Sequence, residues 1–151
     1  MVRKKYPKHI AKKAAMQIPY SEDGIRDFII ARLFAYVNKT FYNKSLKQNI
    51  LISPDSITET AQNCRPNRQA AKLALHLPYV LRNANVVKRN LEAMSKKQKN
   101  RFKFEEVAIL SCNVSGVGIA KVVIGFRDTG VAVEYSVTNF QVLNKTSQFD
   151  F

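Results

Sequence analysis

Tryptophan is missing from this chain, and histidine occurs only twice, at His9 and His76. The two cysteines, Cys64 and Cys112, stand at ligand spacing from neither histidine, which leaves no zinc pattern. They also fall far short of a disulfide framework, which a chain of 151 residues does not need to bury a core. The reading is a reduced, cytoplasmic compartment. No run reaches the roughly 18 apolar residues of a membrane span, so no membrane partner is expected. The basic start lacks the apolar stretch of a secretory signal, and it is too rich in lysine and too poor in serine for a transit peptide. Glycine is sparse, and Gly116 and Gly118 lie between two strand-like runs, the wrong context for a phosphate cradle. The 11 acids are scattered, with no carboxylate pairing that suits a two-metal nuclease. Any nuclease here is expected to be metal-free, and no cofactor is implied.

What the chain has in excess is positive charge. The net charge is +14 and the pI about 10.0. Residues 1 to 13 hold six cations and no acid, and residues 88 to 103 hold seven against Glu92 alone. Such clusters neutralise phosphates and release counterions, giving affinity for nucleic acid that falls with salt. Solubility or an acidic protein partner is the alternative.

The chain reads as a basic arm over 1–18 and a single domain over 19–151. Ser21 is placed to cap a helix whose apolar residues Ile25, Phe28, Ile29, Leu33, Tyr36 and Val37 recur at three and four, to about Lys39. Residues 38–48 are polar and aromatic by turns, and Asn49–Ile52 is a strand fragment or buried connector. Ser53, Pro54 and Asp55 open a second helix that runs to about Cys64. Helical spacing resumes from Arg68 to Leu77, and Pro78 ends it or starts a further turn through Leu81.

Asn85–Lys88 reads as a first strand, followed by a lysine-rich loop. The runs 102–114, 119–127 and 131–140 are β-rich and separated by 115–118 and 128–130, both carrying glycine where a hairpin needs positive φ. Layer logic then gives an α+β domain, with N-terminal helices packed on one face of a four-stranded antiparallel β-meander and the other face available to a ligand.

Four blocks carry a resemblance. Ile52-Ser-Pro-Asp-Ser-Ile-Thr-Glu-Thr60, Ala74-Leu-His-Leu-Pro78, Asn83-Ala-Asn-Val-Val87 and Glu134-Tyr-Ser-Val-Thr138 resemble the ordered blocks of the barnase/EndoU/colicin/RelE-like (BECR) nuclease domains of phage, mobile-element and polymorphic-toxin proteins. The resemblance spans residues 22 to 142. It implies a metal-independent ribonuclease, a toxin or mobile-element effector, acting on cytosolic tRNA or mRNA by attack of the ribose 2′-hydroxyl on its own phosphate. An acidic immunity or antitoxin protein is then an expected partner, and the target-cell cytoplasm the site of action.

The chemistry requires a base, a donor to the leaving oxygen and cations facing the phosphorane. The matching blocks offer Glu59, Thr60, His76, Tyr135 and Thr138. Histidine's unperturbed pKa lies near working pH, so His76 is either the acid/base group or a structural histidine bonded to backbone near Pro78. Strict alternation puts Glu134, Ser136 and Thr138 on a polar face and Val133, Tyr135 and Val137 in the core, so Tyr135 and Thr138 share a cleft only if a bulge intervenes. Lys72, Lys88, Arg89, Lys96, Lys97, Lys99, Arg101, Lys121 and Arg127 are the candidate phosphate-facing cations. Because the last strand offers no histidine, arginine or lysine, a non-catalytic module that grips RNA or DNA through 1–13 and 88–103 is the rival reading.

Overall fold

The computed structural model describes residues 17–93 and 95–140. The basic arm, apart from Gln17 and Ile18, lies outside the described residues. Helix α1 spans Glu22–Leu33, opened by Ser21, whose hydroxyl accepts from the Gly24 amide at 3.0 Å. Its buried stripe is Ile25, Ile29 and Leu33, four apart, so one narrow side meets the core. A 3-10 turn, Phe34–Tyr36, ends it earlier than the apolar spacing suggests.

The next two strands, β1 (Thr40–Asn43) and β2 (Gln48–Leu51), form a hairpin. Asn43 explains why polar residues can sit in this strand. Its side-chain amide donates to Leu81 O and Ala84 O at 2.7 and 2.9 Å, and its Oδ1 accepts from the Leu46 amide at 2.8 Å.

Helix α2 (Pro54–Cys64) starts with Ser53 and Ser56 capping each other's backbone, and α3 (Arg68–Ala74) is capped by Asn67. Helix α4 covers Leu77–Asn83. Three further hairpin-linked strands follow β3 (Asn85–Glu92): β4 (Phe104–Val114), β5 (Gly118–Arg127) and β6 (Ala132–Asn139). Gly116 and Gly130 take φ of +78° and +88° in the two tight turns, as their positions require.

The α+β class holds, but the sheet is six-stranded and mixed rather than a four-stranded antiparallel meander. Its order is β1-β2-β6-β5-β4-β3, with β2 parallel to β6 through Ile50↔Ala132 and Leu51↔Val133. The cause is visible in β6. Ala132 and Val133 are buried and would leave an apolar strand edge open to water, and the β1–β2 hairpin covers it.

The main core lies between the helices and one sheet face, where Ile57, Ala61, Leu73, Leu77 and Leu81 pack with Leu110, Val122, Ile124 and Val137. The opposite face is partly covered. Residues 95–103 fold back over it as a strap, with a π-helical turn at Lys97–Arg101, and a second core of Ala93, Phe102, Phe104, Val107 and Val133 forms there. Gly125 makes room for this. A Cβ there would run into the Phe104 ring, so the ring lies on the bare backbone.

One irregularity in β6 decides which side chains face which way. Val123 pairs with Ser136, but Ile124 pairs with Glu134, so Tyr135 is an extra residue, a β-bulge. The expected alternation is therefore corrected. Glu134 and Val137 are buried on the helical side, and Tyr135 packs with the second core on the other.

Candidate functional site

Between the strap and the uncovered sheet lies a cleft of about 300 Å³. Its floor is Val107 and Ile109 of β4, Lys121 and Val123 of β5, and Tyr135 of β6. Its wall is Leu91, Glu92, Ser95 and Gln98. The strap turns here because Ser95 acts as a cap, its hydroxyl accepting from the Gln98 amide at 3.0 Å.

Charged groups fasten the strap to α2. Lys97 Nζ lies 2.9 Å from Glu59 Oε1, and Arg101 bonds Asp55 Oδ1 at 2.8 Å. At the strap's far end Arg127 Nε donates to Phe102 O at 3.1 Å. Asn63 donates to the second Glu59 oxygen at 3.2 Å. Tyr135 joins this group, its hydroxyl standing within the influence of Ser95 and Glu59. Burial pushes the Tyr135 phenol above its ordinary pKa, against the pull of Ser95, while the Glu59 charge adds to the rise.

Behind Glu59, Thr60 donates from Oγ1 to Glu134 Oε2 at 2.6 Å. Glu134 is wholly buried, and its Oε1 meets no hydrogen-bond partner among the described residues. Burial pushes this carboxyl up to about 8; the Thr60 bond opposes the shift and the Glu59 charge assists it. At neutral pH Glu134 is a neutral acid held against the sheet.

Along the uncovered face a row of polar residues runs across three strands. Ser111 pairs with Lys121, and Lys121 with Thr138, so one cation stands between two hydroxyl-bearing neighbours on the face that continues the cleft. Lys121 is half-buried, and burial lowers its pKa.

The structure thus gathers Glu59, Thr60 and Tyr135, and through the bulge it puts Thr138 on the same face as Tyr135. His76 is elsewhere. It is buried at the start of α4, its amide donating to Leu73 O and its carbonyl accepting from Val80, and it belongs to the helical layer rather than the cleft lining. Lys72, on α3, lies in that layer too.

Among the other cations, Lys88 and Arg89 are exposed on the edge strand β3, with the Arg89 guanidinium 5.7 Å above the Phe126 ring. Lys96 and Lys99 are exposed on the strap. Lys97, Arg101 and Arg127 are engaged in holding the strap down.

Reading the sequence missed Glu134, Ser95, Gln98 and Ser111. Ser95 and Gln98 carried a signal, the three-residue spacing of a helix cap. No helix among the described residues is long and apolar enough to cross a membrane. No protein-family model, curated protein or solved structure matches the chain.

Proposed function

We propose that the protein binds RNA through the strap, the edge strand β3 and the sheet face between them. The observation that carries this reading is the placing of charge: Lys88, Arg89, Lys96 and Lys99 are solvent-exposed on β3 and the strap, the same two segments that wall a cleft containing Lys121. Phosphate contacts supply affinity, and the salt dependence of binding counts them. Titration of labelled RNA at several salt concentrations should give a log–log slope of about −0.7 per phosphate neutralised on a single strand. Changing Arg89, Lys96 and Lys99 together to glutamate should weaken binding at least tenfold and flatten the slope. Binding that ignores both salt and these charges would refute the reading.

A second reading is cleavage of the bound RNA, as the BECR resemblance implies. The half-buried Lys121, with its lowered pKa, favours it, standing beside Thr138 on the face that holds the Tyr135 hydroxyl. In this reading a base takes the 2′-hydroxyl proton, the 2′-oxygen attacks phosphorus, and the 5′-oxygen leaves with a proton from a donor such as Tyr135, forming a 2′,3′-cyclic phosphate. Lys121 faces the phosphorane charge or serves as the base. His76 takes no part. An acidic antidote protein would accompany such an activity.

Incubation with tRNA in EDTA, followed by a denaturing gel and end-group analysis, tests the reading. Cyclic-phosphate ends that disappear in Lys121→Gln or Thr138→Ala support cleavage, and intact RNA leaves binding alone.

A further inference from the structure

Resting on the nucleic-acid reading above, we infer that the cleft receives one unpaired base of a single strand and seats an adjoining phosphate on the row Ser111, Lys121 and Thr138. The cleft's volume, about 300 Å³, is at the small end for ligand sites and suits a single nucleoside. Its surfaces divide by chemistry in the way a base does. Val107, Ile109, Val123, Leu91 and the Tyr135 ring offer apolar area to the faces of a flat heterocycle. Ser95, Gln98 and Glu92 stand on the wall, where donors and acceptors can meet its edge.

Tyr135 is fixed before any ligand arrives. Phe102 and Phe104 hold its ring edgewise, at centroid distances of 5.0 and 6.0 Å. A stacking platform that is already ordered loses little freedom on binding. The bulge at Tyr135 matters here, since it brings Tyr135 and Thr138 to one face and so puts the platform beside the polar row.

The row itself suits one phosphate. A single ammonium, half-removed from water, is set in register between a serine and a threonine, each able to donate to a phosphate oxygen. A base inside a duplex is stacked on both faces and paired along its edge, so it cannot enter such a cleft without being extracted. The cleft therefore selects single strands, loops or frayed ends over duplex, a discrimination the exposed lysines cannot make.

The test uses the full chain and fluorescence anisotropy at fixed salt, with a short labelled mixed-sequence RNA offered alone or annealed to its complement. The single strand should bind about tenfold more tightly than the duplex. Lys121→Gln, and separately Val123→Tyr, which fills the cleft, should each bring the single strand to within about twofold of the duplex. Lys121→Arg should retain most of the preference, and thermal melts establish that each variant is folded. Equal binding of strand and duplex, or a preference untouched by a folded Val123→Tyr, overturns the base site while the backbone reading stands. Binding of neither RNA overturns both.

Discussion

Glu59 and Lys97 meet at 2.9 Å, but they meet unequally: the carboxylate is nearly buried, whereas about half of the lysine side chain is in water. An exposed ion pair contributes at most about 1 kcal/mol, but a buried carboxylate stripped of its cation is a larger liability. Lys97→Met should therefore destabilise the fold more than Glu59→Gln, by roughly 1–2 kcal/mol against less than about 1 kcal/mol. Urea unfolding of the two variants checks this. Equal losses would mean that the pair contributes only as a surface contact.

The buried carboxyl of Glu134 makes stability depend on pH. Folded, it keeps its proton up to about pH 8; unfolded, it releases it near its ordinary value of 4.5. Between those values the folded chain binds more protons, so this group's contribution to stability declines as pH rises and levels off above about 8. Glu134→Gln removes that slope. The stability of the native chain minus that of the variant, followed by thermal melts from acid to mildly alkaline pH, should fall across the window, and a flat difference would contradict the assignment.

Gly125 and Phe104 form a matched pair. Gly125→Ala drives a methyl into the Phe104 ring and should cost about 1–3 kcal/mol. Phe104→Leu alone should also destabilise, through lost packing in the second core. The double variant should be less unstable than the sum of the two, because the methyl then fills space that the ring vacated. Additive losses would show that the ring and the glycine are not in contact.

Asn43→Ala removes the donors to Leu81 O and Ala84 O and leaves two acceptors at the end of α4 without them. The expected loss is about 2–3 kcal/mol, larger than for a surface asparagine. Asn43→Asp should be no better, since a carboxylate cannot donate to either carbonyl. Denaturant midpoints for the two variants decide it.

Much of this fold could be read from residues alone, and the failures share a cause. The caps at Ser21 and Ser53, the glycine turns and the three long strands are local chemistry, written in a few adjacent residues. The β1–β2 hairpin was not legible, because Asn43 is a core residue only once Leu81 and Ala84 supply partners some forty positions away. Glu134 reads as a solvent-facing acid under strict alternation, and a bulge reverses it. The strap reads as a loose basic loop since nothing local says that Lys97 and Arg101 will find Glu59 and Asp55. The matching blocks offer Glu59, Thr60, His76, Tyr135 and Thr138; the fold sets Glu59, Thr60 and Tyr135 near one another and Thr138 on the face of Tyr135, whereas His76 is packed into the helical layer.

The parallel pairing of β2 with β6 also bears on how the chain reaches this state. Gln48 donates to Gly130 O at 3.2 Å across 82 residues of sequence, whereas β3 to β6 are joined by local turns. Closing so long a loop is entropically demanding and is rewarded only after the meander exists to receive the hairpin. We predict that Ile50→Val speeds unfolding and leaves the folding rate almost unchanged, a result that stopped-flow kinetics would reverse if the hairpin docked early. In the interval before docking, the bare edge of β6 with Ala132 and Val133 is open to any other chain. The yield of native protein is then a race between an intramolecular strand and its neighbours in solution, one that concentration alone can tip.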